Sequence, residues 1–266
     1  MLKARLITAA ILVPLLLFAI LYAPPFVLLG LLLFVLGLAA SEWQYLVPLQ
    51  NRHQQGLFWG CLLISAVLSL YFFLFWMGMG LLLWVLAIGA VVTYPASVRI
   101  WGKPIWVAFL GCVFLPLLGA CVVGLYQKPH GAGLMIYVLA LVSVSDSGAY
   151  FTGKRWGKHA LISRVSAGKT IEGAIGGMVL PMAVAWLGAS FFSPVHLLRW
   201  FGLALLTVLV AMFGDLTLSM LKRRQQLKDT GSLLPGHGGV LDRLDSVLAA
   251  LPWFYMGYYY GFPELF

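Results

Sequence analysis

The chain has 266 residues, of which 62% are hydrophobic and 9% charged, and its formal net charge is +9. Soluble globular proteins are about 45–50% apolar and about 25% charged, so a soluble fold could not bury this much apolar surface. The composition therefore predicts an all-α, polytopic integral membrane protein. The basic residues are spread over the segments between apolar stretches and form no nucleic-acid-binding module, so we expect no nucleic acid partner.

Nine apolar stretches approach the length of about 20 residues that a helix needs to cross the hydrocarbon core. We expect one membrane domain, 1–266, with N-terminal spans in 1–130 and the candidate catalytic spans and cytoplasmic loops in 131–266. The nine spans are predicted at roughly 6–23, 25–40, 57–75, 77–93, 105–126, 132–149, 171–190, 196–218 and 241–262.

Lysine and arginine residues predict the orientation of these spans, because they accumulate in cytoplasmic loops. With nine spans, all but two of the 17 Lys and Arg residues fall on the side of the N-terminus, and the exceptions are Lys128 and Arg199. We therefore expect the N-terminus and the long loops in the cytoplasm and the C-terminus outside. The basic residues are densest in the last two cytoplasmic loops, where they suit anionic lipid headgroups or a polyphosphate.

All acidic residues except Glu42 and Glu264 lie between Asp146 and Asp245, at or near the cytoplasmic ends of spans. We interpret Glu42 as an ordinary loop or helix-end charge. Asp215 lies inside an apolar segment, where a carboxylate costs about 2.5–3.5 kcal/mol on insertion scales and usually faces a partner, a metal or a water-filled cavity. A salt bridge to a neighbouring Lys or Arg is the structural alternative for Asp215.

Segment 219–246 combines three features that suit phosphate chemistry. Glycines in 235–239 allow backbone N–H groups to face an anion. Asp242 and Asp245 share one face of a helix, where they complement its dipole or bind a cation. Mg²⁺ uses one or two carboxylates together with substrate phosphates and water, so the combination matches magnesium-dependent nucleotidyl transfer. A cationic stretch that can neutralise phosphates precedes them, formed by Lys222, Arg223, Arg224 and Lys228.

This segment resembles the signature of the phosphatidate cytidylyltransferase family. Weaker similarity to the family lies in 145–153, 156–158 and 166–173, where Trp156 replaces a usual Phe and Ala167 a common Pro. The resemblance covers residues 140–250. The signature is filled without a gap by Ser219, Lys222, Arg223, Lys228, Asp229, Gly231, Pro235, His237, Gly238, Gly239, Asp242, Arg243 and Asp245.

The resemblance implies transfer of the CMP moiety of CTP to phosphatidic acid, which gives CDP-diacylglycerol and pyrophosphate. This reaction is the committed step of phospholipid biosynthesis in the bacterial cytoplasmic (inner) membrane. The lipid phosphate is already an anion, so we expect direct displacement at the α-phosphorus, with catalysis by positioning and charge neutralisation. We expect CTP, phosphatidic acid and membrane lipids as partners, and a homodimer is left open.

Roles follow from the resemblance and from the chemistry of each side chain. The catalytic candidates are Asp215, Asp242, Lys222, Arg223 and His237. The candidate Mg²⁺ ligands are Asp215, Asp242 and Asp245, with Asp146 as a further one, and a second ion is left open. The candidate substrate-binding residues are Lys228, Asp229, Gly238, Gly239, Arg243, Ser166, Lys169, Thr170, Glu172, Asp146 and Tyr150.

Two other classes of function are alternatives for this sequence. An anion transporter would need polar residues that continue across the bilayer, whereas the polar residues here stop at one side. A polyprenyl or CDP-alcohol transferase is a second alternative, but the motif of the CDP-alcohol enzymes is absent. Segment 167–170 resembles the end of a nucleotide P-loop, yet the required earlier glycine is Ser163, so that interpretation is discarded.

Overall fold

The structure is a computed structural model that describes residues 2–49, 51–231, 233 and 238–261. A short π-helical turn, Gly257–Gly261, follows the last helix. The helices are α1 Leu2–Tyr22, α2 Pro25–Leu46, α3 Arg52–Tyr71, α4 Phe73–Val92, α5 Val98–Trp101, α6 Pro104–Tyr126, α7 Gly131–Trp156, α8 Ile171–Val179, α9 Pro181–Phe192, α10 Leu197–Arg224 and α11 Leu241–Met256.

The all-α membrane architecture predicted from composition is confirmed. Seven helical stretches of the described chain are long and apolar enough to cross a membrane, with α8 and α9 counted together as Ile171–Phe192. The described side chains of α1 give only a shorter apolar stretch, Ala10–Tyr22. Helix α11 has 16 residues and lies below the length of a full span. The predicted number of nine spans is therefore not confirmed.

Three helices extend beyond the predicted spans because hydropathy marks the apolar part of a helix and not its polar end. Helix α2 continues past residue 40 to Leu46, α7 continues to Trp156, and α10 continues to Arg224. The extension of α2 is held by packing, since the Trp43 indole N–H donates to the Val107 carbonyl of α6 at 2.9 Å. Glu42 is consequently a buried helical residue and not a loop residue.

The predicted span 171–190 is divided where α8 ends and α9 begins at Pro181. Proline has no backbone N–H to donate, so it commonly occupies the first position of a helix.

Helix α8 packs closely on α7 through glycines. A Cβ on Gly173 would lie 2.8 Å from the Ala149 carbonyl oxygen, and one on Gly177 would lie 3.0 Å from the Ser145 carbonyl oxygen.

A short β-hairpin, which the sequence analysis did not predict, connects α7 to α8. Strand β1 (Ala160–Ile162) pairs antiparallel with β2 (Ser166–Thr170), with Ala160 opposite Thr170. The last residue of β2 begins the next helix, because the Thr170 hydroxyl accepts a hydrogen bond from the Gly173 N–H at 3.1 Å. Such a side-chain cap satisfies a donor that the first helical turn leaves unpaired.

One face of the bundle collects the helix ends that carry polar residues. The ends of α2 and α10 meet there, since Arg224 and Gln225 both donate to the Leu46 carbonyl at 3.2 Å. The hairpin joins them through Arg223, which donates to the Val165 carbonyl at 3.3 Å. Below this face, α10 and α11 approach closely at Gly214. A Cβ at Gly214 would lie 2.5 Å from the Asp245 carbonyl oxygen.

We expect Gly214→Ala to lower the melting temperature of the detergent-solubilised protein by several degrees. The added methyl group meets the backbone of α11, and overpacking of this kind costs about 1–3 kcal/mol. Gly202→Ala is the matched control on α10, because a Cβ there meets no atom within 4 Å. The control should be neutral or slightly stabilising, and equal melting temperatures for the two variants would contradict the packing at Gly214.

Candidate active site

A cavity of about 390 Å³ lies between the hairpin and helices α7, α8, α10 and α11. Its polar lining gathers side chains that are far apart in the sequence. Ten of the predicted site residues line it: Asp146, Tyr150, Lys169, Thr170, Asp215, Lys222, Asp229, Asp242, Arg243 and Asp245. The weaker upstream similarity and the C-terminal signature therefore contribute to the same site.

Asp215 takes part in an ion pair and also lines the cavity. Its Oδ2 lies 2.5 Å from Lys169 Nζ, and its Oδ1 accepts a hydrogen bond from the Ser219 hydroxyl at 3.3 Å. The cation comes from the hairpin and not from a neighbouring span. The salt bridge weighed in the sequence analysis thus exists, and it connects two candidate substrate-contacting segments across the cavity.

Asp242 is the most fully bonded carboxylate of the cavity and is only 7% exposed. Its Oδ1 accepts a hydrogen bond from Lys222 Nζ at 2.7 Å. Its Oδ2 accepts the backbone N–H groups of Thr230 at 2.9 Å and of Gly239 at 3.0 Å. These three donors fix the carboxylate at the first turn of α11, one turn before the buried Asp245.

The glycines of the signature shape the loop that encloses Asp242. Gly238 has a φ of 83°, a left-handed conformation that glycine adopts without steric cost. A Cβ on Gly238 would also lie 3.0 Å from Asp242 Oδ2. In this structure the Gly239 N–H faces Asp242, and the contact of Gly238 and Gly239 with a polyphosphate stays a prediction.

The donor atoms of the cavity fit a hard divalent cation. Carboxylates outnumber cationic groups in its described lining: Asp146, Asp215, Asp229, Asp242 and Asp245 against Lys169, Lys222 and Arg243. No three Asp, Glu, His or Cys side chains of the described residues are grouped closely enough to hold a metal ion by themselves. Mg²⁺ usually completes its coordination with water and substrate phosphates, so an open carboxylate-lined cavity suits it. The three magnesium ligands stay predictions.

Six predicted residues of the described chain are outside the lining of the cavity: Arg223, Lys228, Ser166, Glu172, Gly238 and Gly239. Arg223 donates to the carbonyls of Val165 and Leu227, both at 3.3 Å, and so ties the hairpin to the end of α10. Lys228 is exposed, and Ser166 belongs to strand β2. Their roles as phosphate or CTP contacts stay predictions.

Glu172 holds the chain that enters the hairpin. Its Oε2 accepts the backbone N–H groups of Lys158 at 3.1 Å and His159 at 3.3 Å, and its Oε1 lies 2.7 Å from His159 Nδ1. A contact with CTP stays a prediction for this residue. His237 lies outside the described residues, so its predicted role also stays a prediction.

Glu42 is a site-adjacent residue whose importance the sequence analysis missed. Its carboxylate is 1% exposed and accepts hydrogen bonds from the loop that precedes Asp242. The sequence did contain a signal for this role. Glu42 lies next to the apolar stretch of span 2, and a carboxylate in such a place usually faces a partner, a metal or a water-filled cavity, as was predicted for Asp215. Ending the span at residue 40 placed Glu42 in a loop and removed that signal.

Comparison with known proteins identifies the family of the chain. The profile of the Cytidylyltransferase family matches residues 3–260. A phosphatidate cytidylyltransferase of Pseudomonas aeruginosa is 41% identical over 266 residues, which covers 96% of each chain. One of Haemophilus influenzae is 38% identical over 192 residues, covering 67% of this chain and 66% of that protein. One of Bacillus subtilis is 40% identical over 131 residues, 47% of each chain. The chain is therefore a nucleotidyltransferase enzyme that belongs to the cytidylyltransferase family.

Proposed function

We propose that this enzyme transfers the CMP moiety of CTP to phosphatidic acid and so forms CDP-diacylglycerol and pyrophosphate. The observation that carries the proposal is the convergence of Asp215, Asp242, Lys169 and Lys222 on one cavity at an end of the helix bundle. The relatives named phosphatidate cytidylyltransferase support the choice of substrates. The volume of the cavity lies within the range of about 300–1,000 Å³ that small-molecule sites occupy.

The charge balance of the cavity supports a requirement for Mg²⁺. CTP and phosphatidic acid are both anions, and the described lining carries more carboxylates than cationic groups. Asp215 and Asp242 would hold the ion, with Asp245 and Asp146 as further ligands and a second ion left open. When bound, Mg²⁺ offsets negative charge on phosphate oxygens during an in-line displacement.

The cationic side chains of the protein would orient the two substrates. Lys169 and Lys222 can form charge-assisted hydrogen bonds to phosphate oxygens, and Arg243 can bind two oxygens at once. A phosphate oxygen of the lipid then attacks the α-phosphorus of CTP. The new P–O bond forms while the bond to the β-phosphate breaks, and pyrophosphate leaves with that electron pair. The attacking oxygen is already anionic, so positioning and charge stabilisation supply the catalysis.

We expect Asp215→Asn and Asp242→Asn each to lower kcat by at least about 100-fold, the effect typical of losing a group that stabilises transition-state charge. The measurement is formation of CDP-diacylglycerol by purified protein in detergent with CTP, phosphatidic acid and Mg²⁺. Chelation of divalent cations should abolish activity, and added Mg²⁺ should restore it.

Thr217→Val is the control for this experiment on α10. The Thr217 hydroxyl donates to the Phe213 carbonyl of its own helix at 2.7 Å, and valine has the same shape. This variant should keep activity within about twofold, because Thr217 is not in the described lining of the cavity and its hydroxyl bonds only to its own helix. Normal turnover in either Asn variant would contradict its assignment as a magnesium ligand.

Lys169→Gln tests whether the hairpin contacts the nucleotide. We expect the KM for CTP to rise about 10-fold, because a charge-assisted hydrogen bond contributes about 1.5–3 kcal/mol. Arg164→Gln removes an exposed charge from the turn of the same hairpin and should leave the KM for CTP unchanged. An unchanged KM in Lys169→Gln, with only kcat reduced, would indicate that Lys169 pairs with Asp215 and does not bind CTP.

We propose further that the cavity faces the cytoplasm from the inner membrane of a bacterium. The support is the distribution of basic residues together with the position of the hairpin and the ends of α2 and α10 on one face. CTP can reach such a cavity from the cytoplasm, while phosphatidic acid enters it from the bilayer. The cytoplasmic orientation of the cavity therefore lets a soluble nucleotide and a membrane lipid reach the same site.

Cysteine labelling tests this orientation in intact cells. Cys112 and Cys121 are buried, so Cys61→Ala gives a background with little reactivity. We expect Lys128→Cys, between α6 and α7, to react with a membrane-impermeant maleimide from outside. Ser163→Cys, in the hairpin turn, should react only after the membrane is permeabilised. Labelling of Ser163→Cys in intact cells would invert the proposed topology.

A further inference from the structure

We infer that Glu42 is a positioning residue of the active site, which holds the loop around Asp242 from a helix in the N-terminal half of the chain. Glu42 lies in α2 and its side chain is 1% exposed. A carboxylate removed from water in this way is retained only where hydrogen bonds compensate its desolvation. Its bonding partners therefore show what it does.

All the described partners of the Glu42 carboxylate belong to the signature segment. Oε1 accepts the Val240 N–H at 2.9 Å, and Oε2 accepts the Leu241 N–H at 2.7 Å. These two groups are donors at the start of α11, where a negative charge also complements the helix dipole. Oε2 additionally accepts the Thr230 hydroxyl at 3.1 Å, so one carboxylate bridges both ends of the loop.

Two glycines of the loop are shaped to receive this carboxylate. A Cβ on Gly231 would lie 2.6 Å from Glu42 Oε1, and a Cβ on Gly239 would meet Glu42 Oε2. Both contacts are too close for any other residue without movement of the carboxylate or the backbone. The loop therefore accommodates Glu42 by the absence of side chains at 231 and 239, and not only by hydrogen bonds.

Helix α2 is a rigid support for Glu42. The neighbouring Trp43 is fully buried and is fixed to α6 by its hydrogen bond to Val107. The end of α2 is held by Arg224 and Gln225 through the Leu46 carbonyl. Because α2 is anchored directly after Glu42 at Trp43 and one turn later at Leu46, the carboxylate is held in place and the loop conforms to it.

The loop atoms that Glu42 fixes are adjacent to those that hold Asp242. Thr230 donates its hydroxyl to Glu42 and its N–H to Asp242. Gly239 donates its N–H to Asp242, and the next two N–H groups go to Glu42. Glu42 thus acts on the reaction through the geometry of Asp242, an inference that rests on the proposed function of Asp242.

Hydrogen–deuterium exchange of the full-length protein in detergent tests the loop without any assay of activity. In Glu42→Gln we expect the amides of residues 230 and 239–241 to exchange at least about 10-fold faster, since hydrogen bonds to a charged group are lost. Peptides from α4 and α6 should exchange as in the unsubstituted protein. Unchanged loop exchange, or an equal rise throughout the chain, would overturn the inference.

Ser41→Ala and Thr230→Val complete the set of variants. Ser41 precedes Glu42 and bonds only within its own helix in the described structure, to the Leu38 carbonyl at 2.7 Å, so its loss should leave loop exchange unchanged. Thr230→Val removes one bond to Glu42 but keeps the N–H bond to Asp242. It should accelerate loop exchange less than Glu42→Gln, and no acceleration would count against the inference even if Glu42→Gln fails to fold.

Kinetics then separate positioning from a merely structural role. We expect Glu42→Gln to reduce kcat at least about 10-fold and to raise the Mg²⁺ concentration for half-maximal activity, with a smaller effect in Thr230→Val. Combined, the two changes should be less than additive, because they act through one loop. A loss of folded protein with unchanged KM values and Mg²⁺ dependence would instead indicate a structural cap.

Failure of this inference can be told from failure of the proposed function. If the unsubstituted protein formed no CDP-diacylglycerol, the proposed function would fail, whereas loop exchange in Glu42→Gln would still test the positioning. If the unsubstituted protein were active and Glu42→Gln matched it in kcat and Mg²⁺ dependence, only the role of Glu42 would be overturned.

Discussion

The buried ion pair between Lys222 and Asp242 is the constraint on which the rest of the site depends. Two ionised groups taken out of water lose hydration that their mutual attraction recovers only with good geometry and additional hydrogen bonds. Here Lys222 Nζ lies 2.7 Å from Asp242 Oδ1, and two backbone N–H groups donate hydrogen bonds to Oδ2. Removal of one partner of such a pair typically costs about 3–5 kcal/mol. Lys222 and the two backbone N–H groups of the loop hold the Asp242 carboxylate in one orientation.

Much of the site could be predicted because its charged residues lie in a few short segments of the sequence. Asp215, Asp242, Lys222 and Arg243 stand out as rare charges in an apolar chain, and the cavity does gather them. The family was likewise identifiable from the signature, since its spacing is contained within one loop and two helix ends. The partner of each charge was not predictable. Lys169 pairs with Asp215 across 46 positions, and no periodicity within either segment encodes that contact.

The error in the length of α2 arises because hydropathy reports lipid contact and not secondary structure. Helix α2 continues to Leu46 because Trp43 packs on α6, although the residues beyond position 40 are partly polar. The hairpin was missed because strands of three and five residues are too short to show a clear alternation. The division of 1–130 from 131–266 stays a prediction, and the bond of Glu42 to Val240 crosses it over 198 positions.

This long-range bond connects α2, in the N-terminal half of the chain, to the start of α11 beside Asp242. The signature supplies groups that face the cavity, but glycine loses more conformational freedom on ordering than other residues, so a segment rich in glycine costs more to order. The order must come from a rigid element, and α2 offers one with a carboxylate that matches the free N–H groups of α11. Catalysis by charge stabilisation depends on groups that do not reorganise during the reaction. Helix α2 therefore contributes more than an apolar segment, because its Glu42 carboxylate bonds residues next to those that hold Asp242.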